Sequence, residues 1–462
     1  MRTHKILLLV YILFLIGCSP DASDSPSPED VFVKFIGEPG IFLGVDMIYN
    51  ETLEEYFILG TDESSASNTN YFYAVTDKGG NQLYFRNVDF SSPSPADTTR
   101  NDTPIRVKRL STGNPDYNDK YLVVGTSTNT QSNDYSKIIW KVVNHGLDNA
   151  DILNDDGSVY FEINNGGIDD FGNVIGHDLV AADIIQVEGE DNVIILGTTS
   201  VPEDGDNFTT SAESKKQFFI TKRSLSDNTE IWTKTLGAGE DDIALSLYEL
   251  SNGDLALFGS TEKSEGIYTG TNVLAIYTNS LGTSDAGSIT VGFDSDPSLD
   301  DVPAAVIKIG SEFKVVGSSS SNGNNPDAFL LNITSQGTLA SAPTESLIFE
   351  STANDFELNT QATTIVRAFN GDYLLMGSYP LFQNSETGQS RLEEIMILRT
   401  NANGTKIMGK DQYYGIEAGN DRANKAIALP DGTIAVLGTF DFGSGTTLIG
   451  LMKVNIDGEL RN

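Results

Sequence analysis

Acidic residues recur in pairs along this 462-residue chain, at Asp241-Asp242, Asp300-Asp301, Asn354-Asp355 and Asn420-Asp421. Each pair stands just before an apolar, strand-like run. Carboxylates gathered at one mouth could hold a hard cation such as Ca2+, which takes several oxygen ligands, or a basic or hydroxyl-rich ligand. The other reading is structural: each Asp caps the backbone donors of its own turn, and repetition in register favours this. The densest acidic stretch, Asp294-Ser295-Asp296 followed by Asp300-Asp301, lacks the Asp-x-Asp-x-Asp-Gly order of a helix-loop-helix calcium site. The candidates for ligand or cation binding are thus Asp241, Asp242, Asp294, Asp296, Asp300, Asp301, Asp355 and Asp421, with Ca2+ the one cofactor worth testing.

Signatures of catalysis are sparse. Beyond His4 the chain has only His145 and His177, which excludes a His-rich metal site. No Gly-x-Ser-x-Gly elbow surrounds a candidate serine, so a Ser-His-Asp triad has no visible nucleophile. Glycoside hydrolysis needs only two placed carboxyl groups, and 65 acidic residues offer too many to choose from. No catalytic residue is assigned. Trp140 and Trp232 fall in strand-like segments and are expected in the core. Tyr379, Phe382, Phe440 and Phe442 lie in or beside loops of adjacent repeats and are candidates for an aromatic contact patch.

The single cysteine, Cys18, carries a different chemistry. Arg2, His4 and Lys5 precede an unbroken apolar run from Ile6 to Ile16, and Leu15-Ile16-Gly17-Cys18 closes it. Eleven apolar residues are too few to span a bilayer, which takes roughly 20. They fit the apolar region of a secretion signal. The motif resembles the lipobox of bacterial lipoproteins, in which a small residue precedes the cysteine that becomes the lipidated first residue. The resemblance implies a signal peptide over 1–17, lipid on Cys18 and a membrane location. Residues 18–29 are polar, acidic and rich in Pro and Ser, and are expected to be an extended tether. Their acidic character is similar to the surface-export signal of Bacteroidota lipoproteins. That implies the outer membrane and the cell surface, with a periplasm-facing anchor as the alternative.

Net charge is −36 and falls to −38 once Arg2 and Lys5 leave with the signal, since 27 basic residues then face 65 acidic ones. Such a surface repels phosphate backbones, so nucleic acid is not an expected partner. One cysteine also allows no disulfide within the chain, so a core alone must hold the mature domain.

A repeat supplies that core. An apolar run ending in Gly-Thr or Gly-Ser recurs seven times, with its glycine at 60, 125, 197, 259, 317, 377 and 438. Before each marker stands another apolar strand, often with a turn such as Asn252-Gly253 or Asp431-Gly432. Asn-Gly and Asp-Gly predict a two-residue hairpin with positive φ at both turn residues. A polar loop and a third strand follow the marker, then a fourth strand, clearest at 230–236. Seven units of four hairpin-linked strands predict an all-β, seven-bladed β-propeller over 30–462. The last unit lacks room for its fourth strand after Gly458, whereas Val31 to Ile36 reads as one. The N-terminal strand is therefore expected to close the last blade and remove an open edge. The pattern as a whole resembles the delta-type propeller repeat, about sixty residues long, of secreted Bacteroidota proteins.

With strands named a to d from the centre outward, the b–c connections read as long polar loops at 62–70, 127–136, 199–216, 261–272, 319–327, 379–393 and 440–447. Long loops on a rigid scaffold are where sites usually form, so this face is expected to carry function. The expected role is a non-catalytic binding or scaffold module for an outer-membrane protein complex, a glycan or another extracellular ligand. The alternative is a polysaccharide-active enzyme using acids at the channel mouth.

Overall fold

The computed structural model describes residues 31–64, 69–88, 100–110, 120–129, 135–144, 161–163, 165–168, 174–201, 215–237, 241–265, 268–282, 285–291, 300–320, 327–335, 360–381, 392–416 and 419–461. Every described element is a strand or turn, and the strands form seven blades in a ring. Blade 1 holds β2 (Phe42–Asn50), β3 (Glu55–Asp62), β4 (Asn70–Asp77) and β5 (Gln82–Val88). Blade 2 holds β6 (Arg100–Arg109), β7 (Lys120–Asn129), β8 (Lys137–Asn144) and β9 (Phe161–Ile163). A hairpin of β10 (Asn165–Ile168) and β11 (Val174–His177), unforeseen in the sequence, leads to blade 3. Blade 3 comprises β12 (Leu179–Gln186), β13 (Asn192–Val201), β14 (Lys215–Ser224) and β15 (Glu230–Leu236). Blade 4 comprises β16 (Asp242–Glu249), β17 (Leu255–Glu265), β18 (Tyr268–Thr278) and β19 (Asp285–Val291). Blade 5 has three strands among the described residues, β20 (Asp301–Ile309), β21 (Glu312–Ser319) and β22 (Asp327–Thr334). Blade 6 is β23 (Gln361–Arg367), β24 (Tyr373–Leu381), β25 (Leu392–Thr400) and β26 (Gln412–Tyr414). Blade 7 is β27 (Arg422–Ala428), β28 (Ile434–Asp441), β29 (Thr447–Val454) and, from the other end of the chain, β1 (Phe32–Gly40).

The closure is as expected: Phe32 pairs with Lys453, Lys34 with Leu451 and Ile36 with Ile449. The strands are near-continuous apolar runs because both faces of each blade pack on neighbours. Seven hydrophobic clusters result, each drawn from two adjacent blades. Leu122, Trp140 and Ile195 join blades 2 and 3, and Ile58, Phe72 and Leu437 join blades 1 and 7.

The marker glycines have one physical cause. Every innermost strand bulges, and the residue just before the bulge faces the glycine: Gly44 faces Gly60, Ala181 faces Gly197, Ala362 faces Gly377. The bulge pushes a carbonyl toward the glycine. A Cβ there would lie no more than 2.6 Å from the carbonyl oxygen of Leu43, Thr103, Val180, Ile243, Val302 or Gln361, and 3.2 Å from that of Arg422. At the first six markers only glycine leaves room, while at Gly438 the carbonyl contact is merely tight.

Two expectations are corrected. At Asn252-Gly253 and Asp431-Gly432 only the glycines have positive φ, +81° and +87°. The Leu250 carbonyl accepts from Gly253 N, and Leu250 N donates to the Asp254 carbonyl, so the turn is a type I turn followed by a left-handed glycine. The side chain of Asn252 instead accepts from Asp254 N, and Asp431 does the same for Thr433 N. The b–c connection of blade 4 is also no long loop: β17 and β18 stay paired out to Glu265 and Tyr268. In blade 7 the pairing runs to Asp441 and Thr447.

Candidate functional site

The acidic pairs act as clasps between blades. Asp241 Oδ1 accepts from Lys216 N at 2.8 Å, and Asp300 Oδ1 from Thr271 N at 2.9 Å. Asn420 Oδ1 accepts from Glu393 N at 3.1 Å. Asp178 with Ser136 N and Asn101 with Thr69 N are similar, so five junctions use a side chain just before or at the start of strand a to hold the start of the third strand of the preceding blade. In the three described pairs the second member is buried: Asp242, Asp301 and Asp421 are at most 3% exposed. Asp301 Oδ1 accepts from Ser319 Oγ. Asp421 accepts from Ile416 N and, at 2.8 Å, from Asp441 N. Burial pushes the Asp421 carboxyl up to about 6, against those two bonds and with help from the nearby Asp441 and Glu394. Asp241, Asp300 and Asn420 thus cap backbone donors of the preceding blade and not, as the capping alternative held, those of their own turn.

The aromatic candidates separate. Phe440 is a core residue, 3% exposed, and meets Phe35 edge-on at 5.4 Å. Phe442 is 37% exposed and meets the same ring at 5.3 Å, on the seam where β1 closes blade 7. Tyr379, in blade 6, packs on Tyr413 at 4.9 Å. Trp140 is fully buried, its Nε1 donating to Asn228 Oδ1, while Trp232 is partly buried against the core of blades 3 and 4. Cys18, His145, Asp294, Asp296, Asp355 and Phe382 lie outside the described residues.

A different group converges on the central channel. The residue after each bulge turns inward, giving Asp46, Arg106, Asp183, Ser246, Ala305, Thr364 and Lys425 around the ring. Lys425 Nζ lies 3.0 Å from Asp46 Oδ1, and Arg106 Nε and Lys108 Nζ each lie 3.6 Å from Asp183 Oδ1. Both acids also tie the ring, Asp46 Oδ2 accepting from Val107 N and Asp183 Oδ2 from Leu247 N, each at 3.0 Å. Burial opposes ionisation of Asp46, but Lys425, Arg106, Val107 N–H and Lys108 outweigh it and hold the carboxyl below the usual range.

All of these side chains but Asp46, which lies behind Lys425, border a cavity of about 370 Å3. Its walls carry the cations Arg106, Lys108, Arg367 and Lys425 and a single anion, Asp183. The lining runs from the bulge to the end of strand a at Ile309, Arg367 and Ala428, which places the cavity in the half of the channel nearest the a–b turns. That is the half opposite the b–c loops, where the sequence led us to expect a site. The sequence does hold a signal for it: a charge inside an apolar strand, as in Gly44-Val45-Asp46-Met47 or Asn424-Lys425-Ala426. The inward direction is set by the bulge and so was not legible.

No family model matches the chain, and no curated protein matches it. Solved structures do. A protein of unknown function from Dyadobacter fermentans is 11% identical, with 92% of this chain and 99% of that one covered and a TM-score of 0.41. The GH93 alpha-L-arabinofuranosidase of Fusarium graminearum is 9% identical over 92% and 98% of the two chains, with a TM-score of 0.44. The β-propeller domain of the Trilobed protease from Pyrococcus furiosus is 10% identical over 93% and 99%, with a TM-score of 0.41. Likenesses this distant carry nothing about activity.

Proposed function

We propose that this chain is a lipid-anchored, non-catalytic binding module displayed at the outer-membrane surface. The observation that carries the binding reading is the state of the channel acids. A glycosidase needs one carboxyl kept protonated as the acid and a second left free as base or nucleophile. Here Asp46 is held ionised by Lys425, and Asp183 faces Arg106 and Lys108. Asp421, whose pKa is raised, has both oxygens engaged in a buried clasp. Cations line the cavity instead.

The anchor is proposed from Leu15-Ile16-Gly17-Cys18 and from the resemblance to Bacteroidota surface lipoproteins. β1 begins at Phe32 opposite Lys453, near the c–d turn, so the segment from Cys18 joins the propeller on the face that carries the a–b and c–d turns. Crosslinked pull-down from intact cells, beside a glycan array, tests the function. We expect a stable protein or glycan partner and no turnover. Turnover of a glycan that is lost on replacing two channel acids would overturn the reading.

A further inference from the structure

We infer that the channel cavity binds the carboxylate of a small amphiphile: an aliphatic acid, or the C-terminal carboxylate of an apolar peptide tail. This deepens the binding reading and rests on it. Three observations meet in the cavity. First, its lining carries four cations against one anion, in a chain whose net charge is −36. A positive site enclosed in a negative shell is selective by construction, because the outer field repels anions that the cavity does not reward. Second, Arg106 is only partly satisfied. Its buried Nε has no hydrogen-bond partner among the described residues, and Asp183 stands at ion-pair rather than hydrogen-bond distance. The inaccessible Nε is left to Asp183, and a carboxylate is the ligand group that best suits the guanidinium of Arg106 where it lines the cavity.

Third, the walls are two-sided. Blade 5 presents the aliphatic side, Ala305, Val306, Ile307 and Ile309, and polar side chains stand to either side of it: Arg106, Lys108, Asp183 and Ser246 from blades 2 to 4, Arg367 and Lys425 from blades 6 and 7. Tyr248 is already committed, its hydroxyl donating to the Val306 carbonyl. A polyhydroxylated ligand would leave hydroxyls against the aliphatic wall, whereas an alkyl body fills it and places its carboxylate on the cations. Arg367, exposed at the end of β23, marks the solvent side of the entrance. The cavity admits a ligand of small-molecule size.

The test is calorimetric titration of the purified full chain with hexanoate, with hexanol as the neutral isostere, and with Gly-Ala-Leu peptide bearing a free or an amidated C-terminus. We expect hexanoate or the free-acid peptide to bind, with the neutral counterpart about tenfold weaker or more. Whichever acid binds assigns the source. Arg367→Glu and Lys108→Gln should each weaken that binding about fivefold or more. Arg367 is exposed and its replacement leaves the ring ties intact, so its effect is readable even where a channel variant folds poorly. The proposal is overturned by equal binding of acid and neutral forms, by unchanged affinity in both variants, or by no binding of either acid up to about 10 mM. Glycan turnover would overturn the non-catalytic reading without altering these titrations, so the two failures are distinguishable.

Discussion

Lys425 of the last blade reaches 3.0 Å from Asp46 of the first, an ion pair across the one junction where the ring closes on itself. Asp46 is 1% exposed and also accepts from Val107 N in blade 2, so one carboxylate spans three blades. Removing one partner of a buried pair leaves the other charge uncompensated. Asp46→Asn should destabilise the chain by about 3 kcal/mol in denaturant melts, more than Lys425→Met. Because the folded-state pKa is depressed, this contribution is present above the unfolded carboxylate value and disappears as pH falls through the lower folded one. The variant's deficit should therefore shrink in acid. A deficit independent of pH would refute the role given to this pair.

Asp421 has the opposite sign. Its carboxyl titrates near 6 in the folded chain, above its unfolded value, so its contribution is full at low pH and lost as pH rises through about 6. The melting-temperature gap between the parent chain and Asp421→Ala should narrow between pH 4 and pH 7. A gap that widens over that range would contradict the buried, partly protonated clasp.

Two glycine substitutions separate space from conformation. In Gly377→Ala the new methyl meets the Gln361 carbonyl, which the bulge holds in place, and a cost of about 3 kcal/mol is expected. Gly253 has positive φ and open space around it, so Gly253→Ala should cost about 1 kcal/mol. Equal costs by chemical denaturation would remove the bulge as the explanation of the repeat.

Deleting 31–36 should strip β1 from β29 and leave a paired-strand edge exposed. Size-exclusion chromatography should show oligomers or aggregate where the parent chain runs as a single species. A monomeric, cooperatively melting deletion variant would argue that closure does not depend on β1.

Cys18→Ser should move the protein out of the membrane fraction or leave it unprocessed. Unchanged membrane fractionation would refute the anchor.

The sequence by itself determined the architecture. Seven Gly-Thr or Gly-Ser markers, the strands around them and the surplus strand at 31–36 were enough to count the blades and to locate the closure. Such features are readable because they are local: strand periodicity, turn residues and a glycine where a carbonyl crowds. The sequence also announced Asp241, Asp300 and Asn420, but only the structure assigned them to blade junctions, since their partners lie 25 to 29 residues away. The site was decided by tertiary structure for a sharper reason. One extra residue in a strand reverses which side chains face inward, and each innermost strand bulges once. Arg106 and Lys425, from blades two apart around the ring, meet the same cavity only after that reversal and only when the ring has closed.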